Sequence, residues 1–281
     1  MMNKRSNQLE LMDLGPAHYT AKEYADCLHK LGIIGTVLGG DRATLKAFAA
    51  LPSPPGSILD VGCGGGSFTY KLAQRYPQAT VVGIEIDAAA LGSAHRYQRP
   101  NLTFQLRQQP ELAEPDKSFD VVTATLVCHH LTDEQLINFF RSAGRIARKA
   151  IIINDLHRHP LAYAAFACIA PLFNNRLIRY DGLISIQRSF TRKELVRILL
   201  AADFSLQRFR ITWHWAFRWI IVVDCEDVRD IGPIAPMPFD SPELAQGERR
   251  ISRSSRACRG KGVSLSHLGE GSNGGGWTAH E

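Results

Sequence analysis

The segment Ile58 to Gly66 reads I-L-D-V-G-C-G-G-G. A short apolar run carries one acid, Asp60, and breaks into Gly62, Cys63, Gly64, Gly65 and Gly66, after which Phe68 to Arg75 has the pattern of a helix. Glycine lacks a Cβ and tolerates positive φ, so such a turn lets a ligand lie against bare backbone. The free N–H groups of the following helix then favour a polar or anionic group. A second acid, Glu85, closes the next apolar run, A-T-V-V-G-I-E-I. A carboxylate there can accept both hydroxyl donors of a ribose. Turn and acid together point to a nucleoside-type ligand. Ionisable side chains gather further on, at His129 and His130 and in the run Asp155-Leu156-His157-Arg158-His159. His157 and His159 lie two apart and project to the same side of an extended chain. Asp155 could orient one of them as a base, and Arg158 could hold an anionic substrate group or a structural carboxylate.

The elements that must position these groups alternate. Strands are expected at Ile58, at 79–86, 102–106, 119–124 and 150–154, with helices over 87–96 and 133–148. This is the rhythm of a parallel sheet with ligands at the carboxyl ends of its strands. Before it, Tyr19 to Leu31 and Arg42 to Leu51 read as helices, separated by the glycine-interrupted run Gly32 to Gly40, with Asp41 as a candidate cap. They are expected to lie beside the sheet and could cover the ligand. Pro160 to Phe173 is apolar on nearly all sides. Such a helix is buried, covers an apolar ligand or touches a membrane surface. Thr191 with Glu194 three residues on forms a capping box. Ser205 to Trp213 and Phe217 to Asp224 read as two terminal strands, an antiparallel hairpin.

At 281 residues, 45% hydrophobic and 21% charged, the composition is that of an ordinary globular protein. A formal charge of +6 without a dense basic block argues for a solvated basic surface, so no nucleic-acid partner is expected. The six cysteines are scattered without a C-x-x-C pair, so neither a disulfide framework nor a metal site is expected. No signal segment is read, no run is long enough to span a bilayer, and the cytoplasm is the expected location.

The ordered motifs resemble the class I S-adenosylmethionine-dependent methyltransferases. L-D-V-G-C-G-G-G at 59–66, V-G-I-E-I-D at 82–87, S-F-D-V-V at 118–122 and L-V-C-H-H-L at 126–131 carry the likeness, over roughly Pro54 to Asp224. The resemblance implies a doubly wound Rossmann-like α/β fold, a seven-stranded mostly parallel sheet with helices on both faces and the last strand antiparallel. It implies S-adenosyl-L-methionine as cofactor, its methionine part on the turn of Asp60, Gly62, Cys63, Gly64 and Gly66, its ribose on Glu85, its adenine beside Ile86, with Leu126 in the segment after the fourth strand. Many relatives carry an acid before S-F-D that meets the adenine amine. Here Gln108 takes that place, and its amide oxygen can still accept.

Three segments follow: 1–53 as an N-terminal helical cover, 54–230 as the methyltransferase domain with an apolar helical insertion at about 156–190, and 231–281 as a disordered tail. The expected reaction moves a methyl group to a small apolar hydroxylated or aromatic acceptor, such as a polyketide, phenol or quinone-like compound of secondary metabolism. Phenols and alcohols benefit from a base, for which His157, His159 and His129 are the candidates. Two alternatives stay open: a nicotinamide-dependent oxidoreductase on a similar sheet, against which the D-x-G-x-G-x-G form and S-F-D-V-V argue, and a non-catalytic S-adenosylmethionine-binding protein. Oligomeric state is not legible.

Overall fold

A computed structural model of the chain describes residues 2–226, so the tail read at 231–281 and the last four positions of the segment 54–230 lie outside the described residues. Two helices come first, α1 (Ala21–Val37) and α2 (Gly40–Ala49). The core then alternates through β1 (Ser57–Val61), α3 (Ser67–Arg75), β2 (Thr80–Glu85), α4 (Ala88–Ala94), β3 (Leu102–Leu106), β4 (Phe119–Thr125), α5 (Asp133–Ile146) and β5 (Ala147–Leu156). It closes with α6 (Pro160–Ile169), α7 (Arg176–Arg188), α8 (Arg192–Ala201), β6 (Phe209–His214) and β7 (Arg218–Asp224). The seven strands lie in the order β3-β2-β1-β4-β5-β7-β6. β1, β2, β3, β4 and β5 pair in parallel, while β7 runs antiparallel to both β5 and β6. The expected class, a doubly wound sheet with an antiparallel last strand, is what forms.

The strands are apolar on both faces because both are covered, as parallel sheets require. Successive residues alternate between two cores. Leu59, Ile151 and Ile153 face α5 and α8 through Leu136, Phe140, Leu195 and Leu199. Ile58 and Ile152 face α2 and α3 through Phe48 and Leu72. On α5, Leu136, Phe139, Phe140, Ala143 and Ile146 fall at helical spacing and are all buried, and Thr132 with Gln135 caps its start.

Local reading and structure part at three places. α1 runs straight through Gly32 and Gly35, where the glycine-rich run promised an interruption. The reason is close approach: a Cβ at Gly32 would stand 2.9 Å from Ser67 Oγ and one at Gly35 2.8 Å from Asp41 Oδ1. Gly39, in the left-handed region, precedes α2 in place of the expected cap Asp41, whose carboxylate accepts from Thr36 and Lys71 instead. β5 is ten residues long, twice the span read from its apolar centre, because β4 and β7 pair along it from both sides. The apolar helix α6 buries only Ala162, leaves Leu161 65% exposed, and rests on α7 through Phe166 against Gly182. No helix among the described residues is long and apolar enough to cross a membrane.

Phe140 is fully buried between α5 and the sheet. Phe140→Ala is expected to cost about 3–5 kcal/mol of folding stability, read as a lower urea midpoint at unchanged m-value.

Candidate active site

The chain turns sharply at the end of β1. Gly62, Gly64 and Gly66 take φ of +66°, +52° and +75°, values at which a side chain is strained. The N–H groups of Gly62 and Cys63 donate to the Ile84 carbonyl at 2.9 and 3.1 Å, which ties the turn to β2. Glu85, at the end of β2, completes the tie: its carboxylate accepts from the N–H of Gly64 at 2.7 Å, of Ile86 at 2.8 Å and of Asp87 at 3.1 Å. Gly66 then starts α3 with no side-chain cap. Under the turn lies Asp60, 2% exposed, accepting from the Thr69 hydroxyl at 2.7 Å. Burial pushes its carboxyl up to about 7; the Thr69 hydroxyl opposes the rise and the Glu85 charge adds to it.

Above the turn opens a cavity of about 590 Å³. Asp60, Gly62, Cys63, Gly64, Glu85, Ile86 and Leu126 line it, so seven of the nine residues read from the sequence as cofactor contacts come together. Gly66 stands outside the lining and acts through its backbone conformation. Gln108 is exposed and also outside it, while its neighbours Arg107 and Gln109 line the wall, because the chain bends after the end of β3 and turns Gln108 outward. Leu126 sits at φ +58°, its N–H donating to the Asn154 carbonyl at 2.8 Å. Non-glycine residues held there carry strain of about 1–3 kcal/mol and cluster at functional sites.

α1 forms one wall through Tyr24, Leu28 and Leu31, and a Cβ at Gly65 would lie 3.2 Å from Leu28 Cβ. Met12, Asp13, Val127, His130, Leu131 and Phe139 complete the lining, Val127 standing directly against Gly62. Met12 and Asp13 carry no local signal of this role in the sequence. Nor does Arg218 at the start of β7, which lines the cavity while 3% exposed, its Nη1 reaching Asn154 Oδ1 at 3.4 Å. Its Nε is buried without a hydrogen-bond partner, and desolvation lowers its pKa, with Asp155 and Asp41 opposing.

None of the three histidines advanced as bases lines this cavity. His157 is packed against Trp219, ring centres 4.6 Å apart, and Phe217, with Nδ1 buried and unpartnered. Burial, then the charges of His159 and Arg158, push its pKa down to about 4, a poor proton acceptor at neutral pH. His159 caps α6, its Nδ1 accepting the Leu161 N–H at 3.1 Å. Arg158 is a structural cation, bonded to Glu194 at 2.7 Å and to the Ser189 carbonyl at 2.6 Å. Asp155 orients His129 rather than His157: Nδ1 of His129 is 2.7 Å from Asp155 Oδ1, and its backbone N–H donates to Oδ2 at 3.1 Å. Burial would lower the pKa of His129, but Asp155 and Glu10 outweigh it and hold the ring up at about 10. The imidazole in the lining is His130, its Nδ1 2.9 Å from Asp13 Oδ1.

A methyltransferase-domain profile matches residues 58–150. An uncharacterized methyltransferase of Synechocystis sp. is 34% identical over 164 residues, 55% of this chain and 74% of the relative. A trans-aconitate 2-methyltransferase of Deinococcus radiodurans is 35% identical over 122 residues, 41% of this chain and 46% of its own. A ubiquinone biosynthesis O-methyltransferase of Pseudomonas fluorescens is 32% identical over 127 residues, 43% and 53%. The chain thus spans about half the length of these last two relatives. Among solved structures, human N-acetylserotonin methyltransferase in complex with S-adenosylmethionine superposes with a TM-score of 0.56 at 16% identity, over 74% of this chain and 57% of that one. A methyltransferase dependent on the same cofactor, from Aquifex aeolicus, gives 0.54 at 16% identity, over 72% and 98%. At these identities the structural likeness speaks for the fold. Dinucleotide-binding sheets run 3-2-1-4-5-6, whereas here an antiparallel β7 enters between β5 and β6, which sets the oxidoreductase reading aside. The acid-and-glycine turn, the inserted antiparallel strand and the sequence relatives agree: the chain belongs to the class I S-adenosylmethionine-dependent methyltransferases, and S-adenosylmethionine is its cofactor.

Proposed function

We propose that the chain moves the methyl group of S-adenosylmethionine onto a hydroxyl of a small, largely apolar acceptor held beneath α1. One observation carries the reading: a single cavity of about 590 Å³ joins the glycine turn to a wall of Leu28, Leu31, Val127, Leu131 and Phe139, with Asp13 and His130 at its edge. A phenol, quinone precursor or aromatic polyketide suits such a wall, and the O-methyltransferase among the relatives supports transfer to oxygen.

The residues present fit the cofactor. A Cβ at Gly64 would find only Leu28 Cδ2, 3.8 Å away, so the space over the turn is open to the methionine chain. Asp60, a buried acid with Thr69 as its hydroxyl donor, suits the methionine ammonium, whose charge brings the carboxylate back to its ionised form. A carboxylate offers about four lone-pair sites; three on Glu85 accept backbone N–H groups, which leaves room for one ribose hydroxyl. Ile86, 60% exposed, offers an apolar face to adenine, and Gln109 takes the part read for Gln108. The bound cofactor supplies an electrophilic methyl carbon. The chain's work is to aim the acceptor oxygen at that carbon and to manage its proton, and His130 is the side chain at that edge.

A second reading of the acceptor, one that also bears an anionic group, is favoured by buried Arg218 in the same cavity. A panel of phenols, quinone precursors and polyketides with matched carboxylated analogues, assayed with labelled cofactor, separates the two. Calorimetry in which neither S-adenosylmethionine nor its demethylated product binds would sink the whole proposal. Binding without turnover of any acceptor would favour the non-catalytic reading.

Three outcomes are expected. Gly64→Val should abolish calorimetric binding of the cofactor because the branched side chain fills the cradle, in a chain that still folds but melts at a lower temperature from the strain at φ +52°. Cofactor affinity should rise with pH through about 7, the value to which the Asp60 carboxyl is pushed, because the ammonium is held by the deprotonated form; the gain from pH 6 to pH 8 should approach about tenfold and vanish in Asp60→Asn. His130→Ala should lower kcat by about 10²–10⁴-fold with the cofactor dissociation constant unchanged.

A further inference from the structure

We propose that Glu10, His129 and His130 form a binding site for one divalent transition-metal ion at the edge of the acceptor cavity. One carboxylate oxygen and two imidazole nitrogens from these residues lie within 4.8 Å of one another. His129 Nε2 is 3.5 Å from Glu10 Oε1, and His130 Nε2 is 3.8 Å from Glu10 Oε2. Ligands about 2.1 Å from a shared ion stand about 3–3.5 Å apart in octahedral or tetrahedral geometry, so the set, spread over up to 4.8 Å, closes by side-chain shifts of up to about 1 Å.

The surroundings are those of a built site. A metal-binding histidine presents one ring nitrogen to the ion and gives the other N–H to a carboxylate. Both rings are placed for this: Nδ1 of His129 is held by Asp155 at 2.7 Å and Nδ1 of His130 by Asp13 at 2.9 Å, which turns both Nε2 atoms towards Glu10, and the ion displaces the Nε2 proton of His129 to solvent as it binds. The carboxylate is itself fixed, Oε1 accepting from the Ser185 hydroxyl at 2.8 Å. Arg188 clamps the backbone beneath the rings, donating to the carbonyls of His129 at 3.1 Å and His130 at 2.7 Å. Two histidines and a carboxylate suit zinc, manganese or iron(II) rather than calcium, which prefers oxygen alone. Glu10 and His129 are 1% and 3% exposed, whereas His130 lines the cavity, so the remaining coordination positions open on the acceptor side.

For the role of the ion, though not for its binding, the inference rests on the methyl-transfer reading above. The acceptor hydroxyl oxygen binds the ion and its proton leaves to solvent. The oxygen then forms the bond to the methyl carbon as the carbon–sulfur pair returns to the sulfonium sulfur. With the ion bound, His130 holds the metal instead of taking the proton itself, and the loss expected of His130→Ala then comes from the lost ligand.

The test uses the full chain, stripped with a chelator and titrated with Zn²⁺ and Mn²⁺ against a chromophoric competitor. One equivalent is expected to bind. Glu10→Gln and His129→Gln should abolish binding, and Asp13→Asn should weaken it by about 10–100-fold, with binding of S-adenosylhomocysteine in the same samples reporting an intact fold. The wild-type chain loaded with cobalt(II) should show two hyperfine-shifted exchangeable proton resonances, from the two carboxylate-held Nδ1–H groups, a readout that needs no variant. No uptake by the wild type, uptake unchanged by Glu10→Gln, or a cobalt spectrum without the two N–H resonances would each overturn the site. Metal bound in a chain that methylates no acceptor leaves the site standing and defeats the methyl-transfer reading; turnover in a chain that takes up no metal does the reverse.

Discussion

The Glu85 carboxylate takes the Gly64 N–H on one oxygen and the N–H groups of Ile86 and Asp87 on the other, so it ties the turn after β1 to the end of β2, and much else follows from that tie. In a turn with three residues at positive φ, the N–H groups of Gly62, Cys63 and Gly66 find backbone carbonyls, while that of Gly64 has Glu85 as its acceptor. Leaving one such group buried and unpaired costs about 1–3 kcal/mol. Glu85 meets that need from the neighbouring strand, so the path of the turn, the start of α3 and the burial of Asp60 beneath it form one unit. The same carboxylate faces the cavity. Holding the backbone and receiving a ligand are therefore tasks of one side chain.

On the opposite side of the cavity the constraint is electrostatic. Glu10, Asp155 and His129 are almost wholly out of water, and each is bonded to another member of the group or to backbone. Buried charges are tolerated only when paired and hydrogen-bonded in this way. Arg5 and Arg188 extend the network. Arg5 donates to the carbonyls of His129 and Leu131 and to Asp133, and Arg188 bonds Asp13 at 2.8 Å. A segment with little regular structure is thereby drawn across the end of the sheet and made part of the cavity wall.

Periodicity and turn chemistry made the sheet legible. Short apolar runs bounded by Gly, Pro and Asp marked five parallel strands, the capping box at Thr191 marked α8, and the acid-and-glycine turn marked the cofactor end. Gly32 and Gly35 misled because a glycine inside a helix has the same local appearance whether it breaks the helix or admits a neighbour. The histidines misled for a related reason. The density of N-D-L-H-R-H-P is a property of the chain, whereas its use is decided by partners far away: Glu194 for Arg158, Phe217 and Trp219 for His157, the first turn of α6 for His159. Glu10 and Asp13 meet His129 and His130 across more than a hundred residues, a meeting that no local pattern announces.

The route of the segment around Arg5 to Asp13 separates two heritable properties along the chain. Most of the donor end is written between Asp60 and Ile86, while the acceptor wall draws on that early segment, α1, the loop after β4, Phe139 of α5 and Arg218 of β7. α1 is where the two halves meet, since Leu28 packs over Gly64 and Gly65 and Gly32 over Ser67, so a change in the front of the chain that reshapes the acceptor wall is felt at the donor turn as well.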